Sequence, residues 1–218
     1  MLERFITALH TEDASLEEPA ATRERLKDHF PKNTTRRMTQ LGLLVGASLE
    51  PLAPAEGDTV VYASGYAETR ALEGYLDSFP APSPTLFQTS IHPSAVQQAL
   101  IARQQAVREF FPLTGDAYLP AQALQVALLA ESPRTILCGG EERGTWLLAA
   151  GLSSPRSFAF ALALSTSPAG ALARLTLTAE SGPANACLTL TEFFGLLLVR
   201  RSFDAAISPC LRLTLAWS

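Results

Sequence analysis

Residues 157–164 read SFAFALAL, with small and large side chains alternating and no charge on either set. A period of two is the period of a strand, and an apolar residue at every position marks a strand packed on both faces. Such a strand belongs in the middle of a sheet with a covering layer on each side. That requirement limits the chain to a layered fold before anything else is considered.

The rest of the chain supplies strands and helices in alternation. Residues 3–9 form a short strand, followed by a charged segment to about residue 35 of solvated helical or loop character, carrying Glu17, Glu18, Arg23, Glu24, Arg25, Lys27 and Asp28. Met38, Leu41, Leu44, Val45 and Leu49 keep helical spacing across 36–49, and Pro51 and Pro54 stop that helix. Residues 58–64 (DTVVYAS) form a strand ending at Gly65, and 66–79 a helix with Leu72, Tyr75, Leu76 and Phe79 on one face. PAPSP is an extended loop. Residues 90–103 form a helix with Ser90 as N-cap and Pro93 in its first turn. A strand over 107–113 and an apolar helix over 116–130 come next. The buried strand 135–138 is closed by Gly139 and Gly140. Residues 172–178 are the hairpin partner of 157–164, and a helix at 191–199 and a strand at 211–217 end the chain. The expectation is a single α/β domain over 1–218.

At 218 residues with 47 % hydrophobic side chains, the chain can bury a large core, which excludes a disordered tail or linker. A net charge of -4 argues against nucleic acid as a partner. Two of the 17 basic residues are lysines, Lys27 and Lys32, an arginine bias that a GC-rich genome also produces. No signal peptide is expected, since Glu3 and Arg4 interrupt the start. The uncharged run between Arg156 and Arg174 is broken by Ser165, Ser167, Pro168 and Gly170, so no membrane span is expected, and the reading is a soluble cytoplasmic protein.

Few residues suggest chemistry. There is no Ser-His-Asp set, HExxH, P-loop or GxGxxG. Gly139-Gly140-Glu141-Glu142 reads as a tight turn after a strand, with its carboxylates in water. Cys138, Cys187 and Cys210 lack the spacing of a zinc site or a disulfide framework and read as inert core thiols, so no metal or other cofactor is expected. His92, just inside a helix start, suits either a functional imidazole or a structural one.

The segment SPTLFQTSIHPSAVQQALIA resembles the β-ketoacyl synthases, the condensing branch of the thiolase superfamily. The resemblance covers residues 36–165 in order: VVYASGYAET, the Ser-Pro loop, VREFFPLTG, DAYLPAQALQVALLA and TILCGGEE. It implies a thiolase-like layered fold, about one thiolase half plus a short C-terminal extension. Carried forward from Ile91 without a gap, the family's spacing places Asp116 in the nucleophile slot, with Gly115 the next candidate and Thr114 two residues before it. Neither candidate is a thiol, and a carboxylate is a poor acyl acceptor. The two histidines that such enzymes use in their second half are also missing, since no histidine follows His92.

The chain therefore resembles the truncated, chain-length-factor type subunits of bacterial aryl polyene (xanthomonadin-like) clusters, with His92-Pro93 where relatives read His-Asn. The resemblance implies a subunit without catalytic residues of its own, paired as a heterodimer with a full-length ketosynthase and acting on chains held by an acyl carrier protein. It implies that Tyr66, after Gly65, faces the acyl pocket, that Leu86, Phe87 and Ile91 come from the tunnel loop with His92 beside them, and that Phe110 and Phe111 lie on the dimer strand. For each of these, ordinary core packing is the competing reading. Two other functions remain open: a stand-alone acyl-transfer or hydrolytic enzyme using Asp116 or His92, and a structural scaffold with a filled pocket.

Overall fold

The computed structural model describes residues 1–115 and 117–218. Its elements in chain order are β1 (Leu2–Asp13), α1 (Pro19–Leu26), α2 (Gln40–Leu49), β2 (Thr59–Ala63), α3 (Thr69–Asp77), α4 (Pro84–Ser90), α5 (Ser94–Ala102), β3 (Glu109–Leu113), α6 (Leu119–Leu129), β4 (Arg134–Glu141), α7 (Trp146–Ala149), β5 (Phe158–Ser165), β6 (Ala173–Ala179), α8 (Leu190–Leu198), β7 (Phe203–Ser208) and β8 (Leu211–Trp217). The strands form one mixed sheet in the order β3-β2-β4-β5-β1-β6-β8-β7. β2 runs parallel to β3 and β4, and the remaining pairs are antiparallel.

β5 is the interior strand that its alternation predicts, between β4 and β1. Its large residues, Phe158, Phe160, Leu162 and Leu164, join the core under α6 and α8. Phe158 stacks on Phe194 at 4.4 Å, and Phe160 meets Phe193 edge-on at 5.5 Å. Its small residues, Ala159, Ala161 and Ala163, line the opposite core with α2 and α5. Alanine on that face lets α2 lie close, and all ten residues of α2 are buried. Thr39 caps α2, its hydroxyl accepting from the Gly42 N–H at 2.9 Å.

Several local expectations are corrected. Residues 173–179 are not the hairpin partner of β5, because β1 lies between them, pairing with β5 over Phe5–Asp13 and with β6 over Leu2–Ile6. A central strand of twelve residues has donors and acceptors on both edges to satisfy, and two partners supply them. The 135–138 strand does not stop at its glycines but runs on to Glu141. Glycine is required there by contact: a Cβ at Gly139 would sit 2.5 Å from the Ala63 carbonyl oxygen, and one at Gly140 2.4 Å from that of Phe158.

The helix expected over 90–103 is α5, which starts only at Ser94, and a separate helix, α4, precedes it across Ile91–Pro93. Ser90 ends α4 and is not a cap. Ser83 is the cap, accepting from the Leu86 N–H, and Pro84 opens the helix, so the extended loop stops earlier than PAPSP suggests. β7, α7 and the full length of β1 go beyond what local pattern indicates. No helix among the described residues is long and apolar enough to cross a membrane.

Candidate functional site

At the C-terminal ends of β2 and β4 the chain turns through Ser64–Glu68 into α3, and four buried carboxyl groups hold this corner. Glu141 Oε1 accepts from the Gly65 N–H at 2.6 Å, and Glu141 Oε2 from the Tyr66 N–H at 3.1 Å. Glu142 bridges two helix starts, accepting from the Leu41 N–H of α2 and the Arg70 N–H of α3. Glu68 accepts from the Ala95 N–H at the start of α5. Glu73 accepts from the Thr145 N–H at 2.6 Å and the Leu147 N–H at 2.9 Å, at the start of α7. A carboxyl oxygen at a helix N-terminus satisfies amides that the helix itself leaves unpaired.

The expectation that Glu141 and Glu142 lie in water is thus overturned: they are 3 % and 0 % exposed. The strand's passage through both glycines carries them inward. Burial disfavours the charged form and outweighs the amide bonds. It pushes Glu141 and Glu142 up to about 7, and Glu68 up to about 8.

Beside this corner lies a cavity of about 460 Å³, walled by Gly65, Tyr66 and Glu141, by Gly115 and Leu119 before and at the start of α6, and by Leu190 of α8. Tyr66 is half-exposed at its mouth, and Gly115 lines it. Asp116 lies outside the described residues. No cysteine is among the residues lining the cavity. Cys138 is buried in the core on the α2 side of the sheet, where burial raises its thiol pKa far above the ordinary value. Cys187 and Cys210 are exposed and so are not core thiols. The Cys187 thiol donates to the Ala117 carbonyl at 2.6 Å.

The remaining predicted site residues lie away from the cavity. His92 stacks on Tyr62 at 5.0 Å with the rings 17° apart, and both its nitrogens are buried with no hydrogen-bond partner among the described residues. Burial lowers its pKa. This is an aromatic plate at the α4–α5 joint. Leu86 is half-buried against Gly74 of α3, whereas Phe87 and Ile91 stand out from the surface. Phe110 packs into the α2-side core, while Phe111 points outward from β3, the edge strand.

The orientation of α3, which its periodicity leaves open, is set by the structure. It buries Thr69, Ala71 and Glu73. Leu72 and Leu76 of the apolar face, with Phe79 just beyond the helix, face solvent, as do Phe87 and Ile91, all between 37 % and 55 % exposed. Tyr75 bridges the group, 5.4 Å from the ring of Phe79 and 5.3 Å from that of Phe87. No Asp, Glu, Lys or Arg occurs between residues 78 and 102. An apolar, aromatic surface of this kind, with Asp77 at its α3 edge, has the composition of a protein interface core. Glu141 and Glu142 could have been suspected from Gly-Gly-Glu-Glu following an apolar strand, but nothing local marks Glu68 and Glu73 or reveals which amides the four acids reach.

No protein-family model and no curated protein matches the chain. Solved structures do. A chain of the ketosynthase (ApeO) in complex with its chain length factor (ApeC) from Xenorhabdus doucetiae superposes with a TM-score of 0.67 at 19 % identity, over 99 % of this chain and 100 % of that one. The ishigamide ketosynthase/chain length factor gives 0.60 at 13 % identity, over 82 % and 68 % of the two chains. AntDE:AntF, a type II polyketide synthase acyl-carrier protein in complex with its ketosynthase bound to the hexaketide, gives 0.57 at 9 % identity, over 83 % and 71 %. The fold is therefore the thiolase-like one expected from the sequence, at about the extent of one thiolase half.

Proposed function

We propose that this chain, built on the thiolase-like fold of ketosynthases and chain length factors, is a non-catalytic, chain-length-factor-like partner of a full-length ketosynthase. Two observations carry the reading: the outward apolar face of α3 and α4, and a cavity with no thiol in its lining. A monomer that left these side chains in water would forgo the burial that normally stabilises them, about 25 cal/mol per Å² of apolar surface. A second subunit covering them, together with the edge of β3, recovers it.

In this reading the partner supplies the nucleophilic cysteine and both histidines. This chain supplies wall. The growing chain, held by an acyl carrier protein and lengthened by decarboxylative condensation, ends where bulky side chains close its channel, with Tyr66, Phe87 and Ile91 the candidates here. A polyene product follows from the likeness of the Ser-Pro loop and the empty nucleophile slot to the aryl polyene group.

Co-expression with a full-length ketosynthase from the same genome tests the proposal. The two proteins should elute as one complex, and condensation of malonyl and acyl thioesters should require the ketosynthase's cysteine. Condensation by the purified chain alone, or two proteins eluting separately, would overturn it.

A further inference from the structure

Three buried polar side chains meet at the joint between α4 and α5. Tyr62, on β2, is fully buried, and its ring stacks on that of His92 at 5.0 Å. Glu68, 1 % exposed, reaches the same joint from the start of α3, because its Oε1 accepts from the Ala95 N–H, three residues after His92. Tyr62 Oη, Glu68 Oε2 and both His92 ring nitrogens are buried, and none has a hydrogen-bond partner among the described residues. Ser64 lies beside Tyr62 on the same face of β2, but its hydroxyl is engaged. It donates to Glu141 Oε2 at 3.3 Å and accepts from the Ala67 N–H at 2.9 Å.

Buried polar atoms are rarely left without partners, and four on three adjoining side chains call for a ligand that bonds to several at once. The atoms are shielded from solvent and do not bond to one another. Water is the smallest molecule with both donors and acceptors to bridge them. The charges nearby decide where the proton sits. Glu141 and Glu142 approach Glu68 from the end of β4, and the Cys138 thiol lies near Tyr62 on the same strand. Arg70 of α3 directs its guanidinium to the Arg143 carbonyl and to Glu18, and α2, α4 and α5 carry no charged residue. Burial, reinforced by the two carboxylates, pushes Glu68 up to about 8, and burial lowers the His92 pKa. Near neutral pH the acid is therefore protonated and the imidazole is not. A protonated Glu68 meets both demands on it, since Oε1 accepts from Ala95 while Oε2 donates.

We propose that Tyr62, Glu68 and His92 bind one internal water, with protonated Glu68 as the donor to it, and that this network pins the α4–α5 joint. The joint carries Ile91 and holds α4 with its outward Phe87, so the network sets where that apolar surface sits. When Glu68 ionises the donor is lost, and the joint opens more readily. The network belongs to this chain alone, whatever molecule covers the apolar surface.

NMR of the full chain, labelled with 15N and 13C, tests the proposal. A long-lived water should give a cross-peak to the Tyr62 hydroxyl or the Ala95 amide. The His92 ring signals should show a step near pH 8, above the ring's own titration. Glu68→Gln should abolish that step and leave the His10 and His29 signals as they are. Between about pH 6 and 8.5, after correction for intrinsic rates, the Ser94 and Ala95 amides should exchange about tenfold faster or more. In Glu68→Gln, whose side-chain amide keeps a donor on the water at either pH, they should stay slow. Tyr62→Phe keeps the stacked ring and loses the hydroxyl, and should speed exchange at both pH values. The wild-type measurements and Tyr62→Phe decide the matter even where Glu68→Gln does not fold. No step at His92, a step that persists in Glu68→Gln, no bound water, or joint amides indifferent to both substitutions would overturn the proposal.

Discussion

Single residues at the β2–β4 corner give the molecule a pH response. Glu68, Glu141 and Glu142 have pKa values raised by burial from 4.5 to about 8, 7 and 7, so the folded state favours their protonated forms. Their contribution to stability is fully present below about pH 4.5 and is lost as pH rises through about 7 to 8. Asp13, held low by Ser15 and Arg156 against its own desolvation, acts in the opposite sense and only at more acid pH. Stability should therefore fall between about pH 4.5 and 8, at up to about 1.4 kcal/mol per pH unit for each titrating carboxyl, and the melting temperature with it. Glu68→Gln is the cleanest probe, because Oε1 caps α5 while Oε2 has no partner among the described residues. A glutamine can keep the cap and lose the titration, so the variant should lessen the decline while matching wild type near pH 4. Gly139→Ala tests packing instead. Its methyl group would press on the Ala63 carbonyl and the Phe160 ring, and a loss of about 1–3 kcal/mol is expected in urea unfolding. Neither the acids nor the glycines could be placed from the sequence, since GGEE has the composition of a turn and only the neighbouring strands make it a strand.

At the scale of elements, α3 shows that a periodicity can define a face without saying which way it turns. Leu72, Tyr75 and Leu76 do form one helical face, and Phe79 extends it, but the helix seats itself through Glu73 and Ala71 and turns that face outward. Leu76→Asp together with Phe87→Asp should therefore leave the isolated chain nearly as stable as wild type, within about 0.5 kcal/mol per site. The same pair should abolish co-elution with the ketosynthase. If the double variant instead unfolds, the face is core and the interface reading fails. β5 is the contrasting case. Its alternation predicted an interior strand, and the phenylalanines and alanines divide between two cores as that pattern requires.

At the scale of the whole molecule, the corner and the cavity share Gly65, Tyr66 and Glu141, because β2 and β4 end side by side and α3 leaves directly from that end. Tyr66 lines the cavity there. In the complex with a ketosynthase, Tyr66→Ala should lengthen or scatter the products, read by mass spectrometry of the released chains. Unchanged products with a lowered melting temperature would instead make Tyr66 a structural residue and the chain a scaffold. By itself the sequence determined the layered α/β class, the two-faced strand, most helix and strand positions, and the missing histidines and thiol, because each is written in residue identity or in a period only a few residues long. The tertiary structure alone decided that β1 separates β5 from β6, that Gly139 and Gly140 lie within a strand, that Glu141 and Glu142 are buried, and that α3 presents its leucines to solvent. Backbone hydrogen bonds pair strands without regard to side chain, and a helix's apolar face records that it must be covered, not which molecule covers it.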